Sequence, residues 1–174
     1  GSVSYAESMM IKEYDRRAAV EFARRWAFRR NPGYYNFNDL GGDCTNFASQ
    51  CVFAGAGVMN FTPTFGWYYK SANDRTASWT GVEYFYNFMT GNEKGIGNGA
   101  GPFAEEVSVD KIEIGDIIQL GRANGDFYHS PVVVGFSRGI PLIAAHSYDA
   151  YGRPINSYRF ERIRYIHILG VRSE

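Results

Sequence analysis

The chain is short of cysteine, short of proline and without excess charge of either sign. Its 174 residues include two cysteines and six prolines, and 18 Lys and Arg balance 18 Asp and Glu. Two cysteines cannot supply the dense crosslinking of a small disulfide scaffold. Cys44 and Cys51 fall on one predicted helix, about 10 Å apart at 1.5 Å rise per residue, beyond the span of a disulfide. Neither has a close Cys or His neighbour in the spacing of a zinc site, so no metal is expected. Balanced charge lacks the basic excess of a nucleic-acid binder. The one basic concentration, Arg16, Arg17, Arg24, Arg25, Arg29 and Arg30, reads as the solvated face of a helix. No apolar run approaches the roughly 20 residues that cross a bilayer, so no membrane segment is expected. Gly1-Ser2 reads as an expression scar, and no export signal is visible.

What is present fits an ordinary folded domain. Hydrophobic residues make up 45% and charged residues 21%, enough for one domain over residues 1–174 with its own core. Aromatics reach 17%, with 13 Tyr and 13 Phe. Such side chains serve either a core or a groove that holds peptides or sugars.

Hydrophobic spacing divides the chain into a helical part and a strand part. Asp15 to Arg30 predicts an amphipathic helix with Ala18, Ala19, Phe22, Ala23 and Trp26 inward. Ser4 to Tyr14 reads as its extension, and Asn31-Pro32-Gly33 ends it. Glycines on either side bracket a second helix of about three turns from Cys44 to Ala54, with Phe47, Cys51 and Ala54 on the inner face. Trp79 to Met89 predicts a third, with Val82, Phe85, Tyr86 and Met89 inward, and Asn92 to Gly101 a glycine-rich loop. Strands are expected at Asp116 to Leu120, Tyr128 to Phe136, Leu142 to Ser147 and Arg164 to Val171, with a hairpin turn at Ser137-Arg138-Gly139. Helices first and an antiparallel sheet after define an α+β fold.

The chemistry centres on Cys44. A free thiol has a pKa near 8.5 and attacks poorly at neutral pH unless its thiolate is stabilised. The glycines before Cys44 place it at a helix N-terminus, where unpaired N–H groups favour negative charge and could also hold an oxyanion. His129 opens a strongly apolar strand and is the candidate base. Folding about Arg138-Gly139 brings position 129 opposite roughly 147 to 149. That leaves His146 or Asp149 to hold the imidazole of His129 as the third member of a triad. Cys51, mid-helix on the apolar face, reads as inert core, and His167 as a satisfied strand histidine.

Four segments carry a more specific signal: Asn31-Pro32-Gly33-Tyr34-Tyr35, then Gly41-Gly42-Asp43-Cys44-Thr45-Asn46-Phe47-Ala48-Ser49-Gln50, then Gly66-Trp67-Tyr68, and finally Tyr128-His129-Ser130. Together they resemble the bacterial "putative amidase domain" family, a branch of the papain-like superfamily that includes NlpC-type and CHAP cell-wall peptidases. The similarity runs from about Tyr14 to Val171. It implies a papain-like fold with a central Cys-bearing helix on an antiparallel sheet, Cys44 as nucleophile and His129 as base. It favours His146 over Asp149 as third member, because Ile143-Ala144-Ala145-His146-Ser147 resembles the strand end that carries that residue.

The resulting expectation is a cysteine amidase or peptidase without cofactor. Its substrate would be a peptide, with bacterial peptidoglycan stem peptides the leading candidate. It would act outside the cell or at the cell wall, as a monomer. Asp43, Trp67, Tyr68 and Trp79 are candidate substrate-binding residues, with core packing the competing role for the aromatics. Two rivals use the same fold: an acyltransferase or transpeptidase with the same Cys and His, favoured by a closed and dry site, and a cell-wall binding module without turnover.

Overall fold

Helices from the first half of the chain pack on one face of a curled antiparallel sheet drawn mainly from the second half, an α+β arrangement. The computed structural model describes residues 9–93 and 99–173. Helix α1 (Arg16–Trp26) starts at Asp15, whose carboxylate accepts the Ala18 N–H, a standard N-cap bond. It stops short of Arg30. The carbonyl of Trp26 is taken by His146 Nε2 at 2.8 Å and by the Arg29 N–H at 3.2 Å, so the helical ladder does not continue.

Two expectations near α1 need correction. Of the stretch read as its extension, residues 4–8 lie outside the described residues, and Met10–Lys12 is a strand, β1, with an all-exposed pattern. An exposed segment has no apolar face to bury as a helix, and it completes the edge of the last strand instead. Nor are the six arginines all solvated. Arg16 Nη1 donates to Asp116 Oδ1 at 2.7 Å and to the Ile114 carbonyl at 2.9 Å, and Arg30 binds Asp149.

Helix α2 (Cys44–Ala56) is the central element, buried at every residue from Cys44 to Val52. Gly57, at φ 68°, closes it in the left-handed conformation that glycine adopts without strain. Gly55 is required by contact: a Cβ there would sit 2.5 Å from the Asp15 carbonyl oxygen. That close approach seats α2 against the start of α1. Beyond a short hairpin, β2 (Tyr69–Ser71) and β3 (Asp74–Arg75), the expected third helix is divided into α3 (Ala77–Thr80) and α4 (Val82–Glu93). Extended Gly81, at φ −107° and ψ 129°, breaks it. Phe85 and Met89 are fully buried, as their spacing predicts. Of the glycine-rich loop, residues 94–98 lie outside the described residues, and Gly101 already begins a strand.

The sheet contains β4 (Gly101–Val107), β5 (Ile117–Gly121), β6 (Phe127–His129), β7 (Val132–Ser137), β8 (Ile140–Ala145), β9 (Ala150–Pro154) and β10 (Arg162–Ser173). Its order is β1-β10-β5-β7-β8-β9, with β4 also on β10 and β6 also on β5. The expected strand from Tyr128 to Phe136 is broken at Ser130-Pro131, where proline has no N–H to give a ladder. The β7–β8 turn has Arg138 and Gly139 at φ 52° and 79°, the two left-handed residues of a tight hairpin. Alternation along the strands makes two cores. Ile117, Val132, Ala144 and Ile166 face the helices; Ile118, Val133, Ile143 and Ala145 face the other way, against Ile155.

Candidate active site

Gly41 and Gly42, at φ 88° and 101°, turn the chain into α2 so that Cys44 is its first residue. The Asp43 N–H donates to Ser147 Oγ at 3.0 Å, which ties this turn to the loop after β8. Cys44 Sγ lies 3.8 Å from the Tyr128 carbonyl oxygen and 3.7 Å from Thr45 Oγ1. Thr45 Oγ1 in turn meets Ser130 Oγ at 3.1 Å. The sulfur is thus lodged against the backbone on both sides of His129. Cys44 is only 8% exposed, and the resting thiolate expected from its helix position is not what this environment favours. Burial pushes the thiol pKa up, hydrogen bonds from Thr45 and the Ser130 backbone recover part of that rise, and the Asp43 charge adds to it. The resting sulfur is a neutral thiol.

His129 is also buried, at 7% exposure, and its pKa is drawn down to about 4 by desolvation first and then by the positive charge of Arg153. Its cross-strand partner is Leu120, and its ring lies 5.5 Å from that of Tyr158. Among the described residues no hydrogen bond joins the ring to Cys44 Sγ. Thiol and imidazole therefore rest as a neutral pair.

This depression predicts a pH-dependent stability. Between pH 6.5 and 4 the unfolded chain binds a proton that the buried ring refuses. His129 contributes its full stability above the unfolded value and loses it as pH falls from 6.5 toward the folded value. The loss is about 3 kcal/mol at 1.36 kcal/mol per unit. Urea unfolding at pH 7 and pH 4 should show that loss in the native protein and much less in His129→Gln. Equal losses in the two proteins would exclude His129 as the source.

The third-member expectation does not hold in this geometry. His146 Nδ1 meets Asp43 Oδ2 at 2.5 Å, and its Nε2 meets the Trp26 carbonyl. Both ring nitrogens are thereby engaged. The ring also stacks on Phe47, centroids 3.9 Å apart. Nothing remains of it to orient His129. Asp149, the alternative, holds Arg30 through two bonds of 3.0 Å, and Arg30 Nε lies 3.6 Å from Asp43 Oδ2. His146, Arg30 and Asp149 form one network around Asp43, next to Cys44 in the chain.

The candidate substrate contacts are redistributed as well. Asp43 is fully buried, with Oδ1 accepting from the Phe37 N–H and Asn46 Nδ2, each at 2.8 Å. Burial pushes its pKa up, but hydrogen bonds from His146, Asn46 and Phe37 outweigh this and hold it below the ordinary carboxyl range. At 0% exposure it is out of reach of a bound molecule in this geometry, contrary to the substrate-binding expectation. Trp67 and Trp79 are fully buried and pack against each other in a tilted arrangement, ring centroids 4.6 Å apart. Their indole N–H groups donate to Ser49 Oγ and Asn46 Oδ1, as core tryptophans must. Only Tyr68 is partly open, its hydroxyl on Asp74 Oδ1. His167 is a satisfied strand histidine, with Nδ1 on Asp116 Oδ2 at 2.7 Å.

Arg30, Asn46, Ser130, Arg153 and Tyr158 were missed in the sequence. Asn46 had a usable signal, since an Asp and an Asn three residues apart at a helix start face one another. The others reach the site through tertiary contacts. Among the described residues no group of three or more His, Cys, Asp or Glu is placed to hold a metal.

An α+β domain with a thiol at the head of its central helix and a histidine on the adjoining strand defines a class, and comparison narrows it. The family described as "Putative amidase domain" matches residues 13–169. The chain belongs to that family, whose name points to hydrolysis of amides. It is also similar to the Bacillus subtilis (strain 168) protein named "Uncharacterized protein YhbB", 34% identical over 142 residues. That match covers 79% of this chain and 43% of the relative, so the chain spans less than half of that protein's length. No solved structure matches with comparable significance.

Proposed function

We propose that this domain hydrolyses an amide bond by nucleophilic catalysis, with Cys44 as nucleophile and His129 as general base and acid, on a papain-like scaffold. The observation that carries this reading is the seat of Cys44 Sγ, at the first residue of α2 and 3.8 Å from the carbonyl of the peptide that leads into His129. A neutral pair requires proton transfer during attack. Cys44 Sγ bonds to the amide carbon as its proton passes to the His129 ring. The α2 N-terminus stabilises the resulting oxyanion. The C–N bond then breaks as His129 returns the proton to the leaving amine, and water resolves the thioester by the reverse route. Peptide amides of the bacterial cell wall are the substrate class that the resemblance suggests.

Alkylation by iodoacetamide tests the pair. In the folded protein Cys44 should react and Cys51, fully buried mid-helix, should not. Because the Cys44 thiol is neutral at rest, its rate should climb as pH rises from 7 to 9 rather than stand at a plateau from pH 6. His129→Ala should slow it near pH 7, because no neighbouring base is then left to take the thiol proton. Equal labelling of both cysteines, or a rate indifferent to His129, would sink the reading. The burial of both groups also supports a second reading, in which an amine in place of water resolves the thioester. Product analysis with and without added amine separates transfer from hydrolysis.

A further inference from the structure

We propose that Arg153 and Tyr158 form a subsite beside His129 for a carboxylate of the substrate, so that the amide cleaved is one carrying a nearby free carboxylate. The inference rests on the catalytic reading of His129 and deepens it.

Arg153 lies at the end of β9, and Tyr158 follows the 3-10 turn Ile155–Ser157. The guanidinium of Arg153 is fixed on one side: Nε donates to Ser157 Oγ at 2.8 Å and Nη2 to the Ser157 carbonyl at 3.1 Å. Its carbon lies 3.6 Å from the centroid of the Tyr158 ring. Nη1 makes no hydrogen bond among the described residues. Arg16, Arg30 and Arg164 each meet a carboxylate, on Asp116, Asp149 and Glu83. Arg153, half-buried, meets none among the described residues. A guanidinium held rigid with one edge free is pre-organised for an anion, because ordering it adds little further cost.

Tyr158 supplies the second observation. Its hydroxyl oxygen is covered and makes no hydrogen bond of regular geometry among the described residues, although the Arg153 guanidinium lies close enough to offset part of the rise that burial causes in its pKa; such incomplete pairing is uncommon for a buried polar group. Its ring also packs on that of His129. A cation without a carboxylate, an incompletely paired hydroxyl and the candidate base therefore meet at one ring. A carboxylate seated on Arg153 Nη1 offers the hydroxyl an acceptor. It also neutralises the charge that disfavours protonation of His129, which makes the ring a better base once substrate is bound. The same anion thus selects the substrate and prepares the base.

Binding of N-acetylglycine and of its neutral analogue N-acetylglycinamide to the full chain, followed by NMR at the His129 ring protons, tests the subsite without any need for turnover. N-acetylglycine should bind and shift the His129 signals. Arg153→Gln should weaken it about tenfold or more, the scale of a lost charge-assisted hydrogen bond, and Arg153→Lys should restore part of the loss. Tyr158→Phe should weaken it about threefold, the scale of a lost neutral hydrogen bond. The neutral analogue should be indifferent to all three substitutions. Equal binding of the two probes, no binding of either, or no loss in Arg153→Gln with the fold intact would overturn the proposal. Binding that behaves as expected, in a protein whose Cys44 cleaves no amide, would leave the subsite standing and remove the catalytic reading instead.

Discussion

Replacing Asp43 with alanine is expected to destabilise the domain by about 3–5 kcal/mol, the usual effect of breaking a buried ion pair from one side. For a chain of this size that is a fall of roughly 10 °C or more in Tm. The reason lies in what the carboxylate collects. Its two oxygens receive the Phe37 N–H, Asn46 Nδ2 and His146 Nδ1, all in the interior, with Arg30 close by. Alanine leaves the Phe37 N–H without its acceptor and removes one partner each from Asn46 Nδ2, which keeps the Tyr35 carbonyl, and from His146 Nδ1, whose ring is 1% exposed and out of reach of water. The depressed pKa of Asp43 fixes the sign in acid. Its stabilising effect is complete above the ordinary carboxyl value of about 4 and disappears as pH falls through the lower folded value. His146→Phe should relieve part of the Asp43→Ala defect, so the double substitution should cost less than the sum of the two single ones. Strict additivity, or a change below about 0.5 kcal/mol for Asp43→Ala, would show that the pair does not hold the turn.

The network around Asp43 marks where sequence reading stops. The helix start at Cys44 was legible because glycine conformation is local: Gly41 and Gly42 take positive φ and Gly57 closes the far end. The hairpin at Arg138-Gly139 was legible for the same reason. Phe47 and Cys51 were legible as a buried face, whereas His129, read as the head of the apolar strand, closes β6 because the break at Ser130-Pro131 delays β7 to Val132. The role of His146 was not. Hairpin register does bring it near His129 in the chain order, but register says which backbone positions align and leaves open which acceptor claims a ring. Here the claim is settled by Asp43 and by a carbonyl freed where α1 ends, more than a hundred residues earlier. Trp67 and Trp79 were ambiguous because an indole with an apolar body and one N–H suits either a groove or a core. Tertiary donors and acceptors, Ser49 and Asn46, decide for the core. The strands β1, β4 and β9 carry no alternating pattern strong enough to stand alone, and they exist because β10 and β8 offer them unpaired edges.

Cys44→Ala is expected to lower amide turnover about 10³-fold or more, the scale found when a covalent nucleophile is removed, while leaving the fold in place. The two effects separate because the sulfur is small and its contacts few. It touches the Tyr128 carbonyl and the Thr45 hydroxyl, and Thr45 retains its bond to Ser130 without it. The loss in stability should be about 1 kcal/mol, the order of a small buried group. His129→Ala should fall to a similar residual rate, and the double variant should be no slower than either single one. Nucleophile and base act as one unit, so removing the second from an already disabled pair subtracts nothing further. Mass spectrometry on rapidly quenched native enzyme should reveal a thioester on Cys44 that is absent in both variants. Retention of more than a tenth of native turnover in Cys44→Ala, or an additive double variant, would move the chemistry away from this sulfur and back to the buried groups around it.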